Sequence, residues 1–207
     1  MIQTWRRLSL HPRVRPFTAW RINLKWRLAG RPIPAPPLVK QAIVKEYQRA
    51  FGLRVFVETG TLAGEMLDAM LGRFDKLFSI ELDDTWYARA VERFAGRPEV
   101  TLVHGDSGAR LAEVLAGLNE PALFWLDAHY SGPVTARGPL DSPIAQELLH
   151  IAAHPVRGHV VLIDDMREFD GTRGYPEVAA LVAGLRAKSP RATVEVRDDI
   201  LRMHALR

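Results

Sequence analysis

The sequence predicts an α/β protein with an open, mostly parallel sheet, helices on both faces and an antiparallel hairpin at the end. Two observations carry this. From residue 53 onward, five short apolar runs alternate with stretches of helical periodicity, and near-continuous apolar strands joined through helices belong to parallel sheets buried on both faces. After the last run, residues 193–196 and 200–206 flank Arg197-Asp198-Asp199 with no helix between them, the pattern of a hairpin. A chain of 207 residues, 47% hydrophobic and 25% charged, is large enough to bury a real core. It has no Cys, which excludes thiolate nucleophiles, zinc-thiolate sites and a disulfide scaffold.

Two regions precede and contain this pattern: a basic, Trp-rich arm with a Pro-rich linker over residues 1–37, and a folded body over 38–207. The first 40 residues hold nine of the 28 Lys and Arg and none of the 24 Asp and Glu, so the rest of the chain carries 19 cations against 24 acids. The pI of 9.7 therefore joins a basic arm to an acidic body, and no specific nucleic-acid binding is expected of that body. No apolar stretch approaches the ~20 residues of a membrane span, and the N-terminus lacks the apolar run of a signal peptide. A cytoplasmic location is expected. Between Trp20 and Leu28 the arm alternates apolar Trp20, Ile22, Leu24, Trp26 and Leu28 with Arg21, Asn23, Lys25 and Arg27. Period two predicts an extended ribbon, which would pack on its own body or on a second subunit of a homo-oligomer, or lie against an anionic membrane surface or a polyanionic substrate. The four prolines between Pro32 and Pro37 make a stiff linker.

Leu38, Ala42, Ile43, Tyr47 and Phe51 then follow helical spacing, with Gly52 as the stop. The strands are predicted at 55–57, 77–80, 100–103, 122–126 and 160–163. Helices are predicted near 64–73, 84–95, 108–118, 142–153 and 176–188, the second carrying Tyr87, Ala90, Val91 and Phe94 on one face.

Ligands of open α/β sheets bind beyond the carboxyl ends of the strands, so the residues there form one group. The first strand ends Glu58-Thr59-Gly60 and continues to Gly64, a turn that lets a ligand approach the backbone with a helix N-terminus behind it. The second ends at Glu81, 23 residues past Glu58, near the spacing at which an acid accepts ribose hydroxyls; Asp83 is placed to cap the next helix. The third ends His104-Gly105-Asp106-Ser107, a helix cap or a contact to an adenine edge. The fourth ends Asp127-Ala128-His129 and the fifth Asp164-Asp165. Three carboxylates and an imidazole at neighbouring strand ends repel or require compensation, which a hard divalent cation would supply.

Taken in order, Glu58-Thr59-Gly60 with Gly64, Ser79 to Asp83, Gly105-Asp106-Ser107, Leu126-Asp127 and Asp164-Asp165 resemble the class I S-adenosylmethionine-dependent methyltransferases. Within these, the chain is similar to the magnesium-dependent sugar O-methyltransferases of the macrocin type. The resemblance covers about residues 53–206 and implies a Rossmann-like sandwich on a mostly parallel seven-stranded sheet with a C-terminal antiparallel hairpin. It implies that Glu58, Gly60, Gly64, Glu81, Asp106 and Ser107 serve S-adenosylmethionine, and that Asp127, Asp164 and Asp165 hold Mg2+. It further implies that Asp127 and His129 are catalytic and that the acceptor is a small hydroxylated molecule such as a sugar. His129 stands where that pattern has a second Asp, and its ordinary pKa of ~6.5 suits a base. Residues 131–142 are expected to cover the site, and Arg167, Arg173 and Tyr175 would suit a phosphorylated or carboxylated acceptor. Two other readings stay open: a metal-independent N-methyltransferase, and a non-catalytic nucleotide-binding or scaffolding module held by its basic arm.

Overall fold

The computed structural model describes residues 15–128, 142–172 and 174–205. All five predicted apolar runs are strands: β1 Val55–Thr59, β2 Lys76–Glu81, β3 Val100–His104, β4 Ala122–Leu126 and β5 Val160–Ile163. The tail forms the predicted hairpin, β6 Ala192–Arg197 and β7 Ile200–Ala205, turning through Asp198 and Asp199 at φ 58 and 66. The seven strands form one sheet in the order β3-β2-β1-β4-β5-β7-β6. β7 alone runs against its neighbours β5 and β6. Central β1 pairs in parallel with β2 and β4, Thr59 lying beside Ile80 and Leu126, and Leu126 lies beside Ile163 of β5. The carboxyl ends of β1, β2, β4 and β5 therefore lie side by side.

Seven helices are described: α1 Arg15–Leu28, α2 Pro37–Phe51, α3 Glu65–Met70, α4 Asp84–Arg93, α5 Ser107–Ala116, α6 Ile144–Ala153 and α7 Val178–Lys188. Pro37 opens α2, where a missing N–H costs nothing, and Gly52 at φ 64 closes it. The Asp83 carboxylate accepts from the amides of Thr85 and Trp86 and caps α4. Alternating strand residues divide the core. Phe56, Leu77, Leu123, Trp125 and Leu162 pack with α2 and α3, while Val55, Val57, Phe124, Val161 and Ile163 pack with α5 and α6. Each such buried side chain contributes about 1.5–3 kcal/mol of transfer free energy.

The arm corrects the ribbon expectation, because residues 15–28 are helical. A lone ribbon needs a sheet edge to satisfy its backbone, whereas a helix satisfies its own. On a helix, steps of two residues advance by about 200°, so the alternating apolar residues separate into two stripes. Ile22 and Trp26 face inward, and Trp26, only 6% exposed, joins the α2 side of the core together with Ala35. Its indole nitrogen donates to the carbonyl of Pro32 at 2.9 Å. Trp20, Leu24 and Leu28 form the other stripe and remain 59%, 41% and 80% exposed.

Candidate functional site

The backbone ladder continues past the strands and brings their ends together. The Gly60 amide donates to Ile80 O at 2.9 Å, Asp127 to Thr59 O at 3.1 Å and Asp164 to Leu126 O at 3.1 Å. Gly60 has φ +83, and a Cβ there would lie 2.8 Å from the carbonyl oxygen of Asp127; one at Gly64 would meet the Phe94 ring at 2.8 Å. Both glycines are thus required by the protein's own packing. Glu81 anchors the turn between them, its carboxylate accepting from the Leu62 amide at 2.7 Å and from Asp83 at 2.9 Å.

Glu58 faces inward. It is 2% exposed and accepts from the Ser79 hydroxyl at 2.7 Å, which lies 2.6 Å from Thr61 Oγ1. Burial pushes its carboxyl up to about 8 against the Ser79 hydrogen bond, and Asp127 and Glu81 add to the rise. Glu58 therefore orients the first turn through Ser79 and Thr61. Asp106 caps α5 by accepting from Gly108 N at 2.9 Å, and Ser107 beside it is buried. Ser107 bonds to Glu147, as does Thr59. Glu147 comes from α6 and is 1% exposed. Its carboxyl is raised to about 7 by burial, offset by those two bonds and reinforced by Asp106 and Asp127. One of its oxygens, Oε1, is buried without a hydrogen-bond partner.

At the ends of β4 and β5, one carboxylate oxygen from each of Asp127, Asp164 and Asp165 lies within 4.8 Å of the others. These are hard oxygen donors, and magnesium bonds of ~2.1 Å would set opposed oxygens about 4.2 Å apart. Adjacent ones would lie about 3.0 Å apart, so the three could close on such an ion by contracting. The chain also supplies cations of its own. Lys40 Nζ on α2 donates to Asp164 Oδ2 at 2.5 Å and to Asp165 Oδ1 at 3.0 Å. Burial alone would lower its pKa, yet Asp164, Asp165 and Asp127 together hold the ammonium above its ordinary value. Burial, followed by the neighbouring Asp127 charge, pushes the Asp164 carboxyl upward, and Lys40 opposes both. Arg167 donates to Asp165 Oδ1 at 2.7 Å and to Asp199 Oδ2. Asp165 itself sits at φ 55, its amide held by Asp164 Oδ1 at 2.8 Å.

The structure thus gathers Glu58, Gly60, Gly64, Glu81, Asp106, Ser107, Asp127, Asp164 and Asp165 along one end of the sheet. His129, residues 131–141 and Arg173 lie outside the described residues. Arg167 is engaged by Asp165 and Asp199 with its side chain 30% exposed, and Tyr175 is buried against Phe169 with ring centroids 5.1 Å apart. Lys40 and Glu147 escaped the sequence reading. Both come from helices rather than strand ends, and their only sequence signal is a charge within an apolar helical stripe.

No family model matches the chain, and no curated protein matches it. Solved structures do. An O-methyltransferase from Bacillus cereus in complex with SAH is 19% identical, with all of both chains covered and a TM-score of 0.58. An SAH-bound methyltransferase from Podospora anserina is 14% identical over 92% of this chain and 87% of that one, TM-score 0.58. The O-methyltransferase TomG from Streptomyces achromogenes, involved in tomaymycin synthesis and solved in complex with SAM, is 16% identical over 91% and 88%, TM-score 0.54. Sheet order, terminal hairpin and these likenesses agree: the chain has the fold of the class I S-adenosylmethionine-dependent methyltransferases.

Proposed function

We propose that the protein is an enzyme that transfers a methyl group from S-adenosylmethionine to a hydroxyl of a small, sugar-like acceptor, with a divalent ion, magnesium, held by Asp127, Asp164 and Asp165. The observation that carries this is the convergence of three carboxylates at the β4 and β5 ends, beside the turns of β1 to β3 within a methyltransferase fold. S-adenosylmethionine supplies the methyl on a positively charged sulfur, which leaves as a neutral thioether. The chain's work is then positioning and deprotonation. In this reading Glu81, fixed by two backbone amides, accepts ribose hydroxyls, and Asp106 with Ser107 faces the adenine. Gly60 and Gly64 shape the turn along which the methionine portion would lie, and Glu58 keeps that turn in place. An ion on the three Asp carboxylates would bind acceptor hydroxyls and lower the pKa of the reacting one. His129, two residues past Asp127, is the proposed base.

A second reading, metal-independent transfer to nitrogen, is favoured by the compensation that Lys40 and Arg167 already give the acidic cluster. Calorimetric titration with S-adenosylmethionine is expected to show one site, and a folded chain that does not bind it would sink both readings. Product formation over a panel of sugars and small hydroxylated acceptors should stop in EDTA; undiminished turnover would remove the ion, and turnover on amine acceptors alone would favour the second.

No helix among the described residues is long and apolar enough to cross a membrane. The exposed Trp20, Leu24 and Leu28, interleaved with Arg21, Lys25 and Arg27, support a peripheral contact of α1 with an anionic membrane surface or a second subunit.

A further inference from the structure

Lys40 Nζ bonds to two of the three proposed ion ligands. Its side chain is 16% exposed and that of Asp164 is fully buried, so the bond is largely shielded from solvent. Asp164 has little freedom to serve two cations at once. Its Oδ1 accepts the Asp165 amide within the left-handed turn, and its Oδ2 accepts Lys40. Each oxygen thus already accepts one hydrogen bond, and an ion drawing on Asp164 would compete with Lys40 or with the Asp165 amide for the same oxygen. Asp165 Oδ1 is shared as well, between Lys40 and Arg167. Like charges a few ångströms apart in a poorly solvated site repel strongly. An ammonium and a divalent cation then compete for these carboxylates.

We propose that Lys40 is a resident cation of the acidic cluster, which a divalent ion must displace from Asp164 to be coordinated. Lys40 is a positioning residue in this scheme. It keeps Asp164 and Asp165 converged while no ion is bound, and its withdrawal ties ion entry to the first turn of α2. This rests on the ion-assisted reading above.

The test is Mn2+ binding to the full chain, read from the electron paramagnetic resonance of free Mn2+ without cofactor or acceptor. Lys40→Met is expected to bind Mn2+ at least about tenfold more tightly than the unaltered chain, while Lys40→Arg, which keeps the charge and both bonds, does not. In the unaltered chain, acetylation of Lys40 followed by mass spectrometry should be slow without Mn2+ and should accelerate as Mn2+ saturates. That measurement decides the matter even if Lys40→Met fails to fold. Equal or weaker binding by folded Lys40→Met overturns the exchange, as does unchanged Lys40 labelling with Mn2+ bound. If Mn2+ binds equally to both chains and is lost in Asp164→Asn, the exchange alone falls and the ion reading stands. No Mn2+ binding by either chain removes both.

Discussion

Glu58 and Glu147 are carboxyls buried at the working end of the sheet, and they make stability depend on pH in a direction opposite to that of a salt-bridged acid. Both have folded values raised from 4.5, to about 8 and about 7. Above pH 4.5 the unfolded chain releases these protons while the folded chain keeps them, so stability falls as pH rises through that window. Glu58→Gln keeps an acceptor for Ser79 and should flatten the fall, gaining about 1–3 kcal/mol near pH 8 in denaturant titrations. A mutant curve parallel to that of the unaltered chain would show that Glu58 is ionised when folded. Asp164→Asn should cut methyl transfer by at least about 100-fold while S-adenosylmethionine affinity, measured by calorimetry, is unchanged; retained turnover would remove Asp164 from the reaction. Glu58 and Asp164 were legible because strand ends can be located from apolar runs. Lys40 and Glu147 were not, because which helix side chain reaches which strand end depends on how the two faces are covered. Lys40 comes from the α2 side and Glu147 from the α5 and α6 side.

Single elements show where local pattern suffices and where packing overrides it. Asp83 reads as a cap and is one, so Asp83→Ala should cost about 1 kcal/mol, visible as a lower thermal midpoint with cofactor affinity retained. The arm is the opposite case. Its period-two alternation looks like a strand, but with no sheet edge taken up by it the segment forms a helix and uses one of its two apolar stripes against α2. Trp26→Ala should therefore destabilise by about 3–5 kcal/mol, whereas Trp20→Ala should change stability by no more than about 0.5 kcal/mol. Similar losses at both positions would mean that the outer stripe is also covered in solution.

For the whole molecule, alternation of apolar runs and helices was enough to give the sheet, its parallel character and its terminal hairpin. The order of strands was not legible in those runs, since nothing in an apolar pentapeptide names its neighbour. That order matters to the site. With β1 central, the proposed cofactor residues Glu81, Asp106 and Ser107 fall at the ends of β2 and β3 on one side, and Asp127, Asp164 and Asp165 at the ends of β4 and β5 on the other. Loop changes after β4 and β5 should accordingly alter acceptor range with little effect on S-adenosylmethionine affinity, which acceptor-panel kinetics would show.

The Lys40–Asp164 bond closes a loop of 124 residues, and that length has a kinetic consequence. Contacts so distant along the chain form late, after nearer pairings have aligned their ends. Arg167, two residues from Asp165, comes with the cluster, whereas the Lys40 ammonium must arrive from α2 after the carboxylates have converged. Because α2 also covers one face of the core with Val39, Ile43, Val44 and Tyr47, peeling it from the sheet would uncover that face and withdraw Lys40 in the same step. The charge balance of the site is therefore tied to the integrity of the domain.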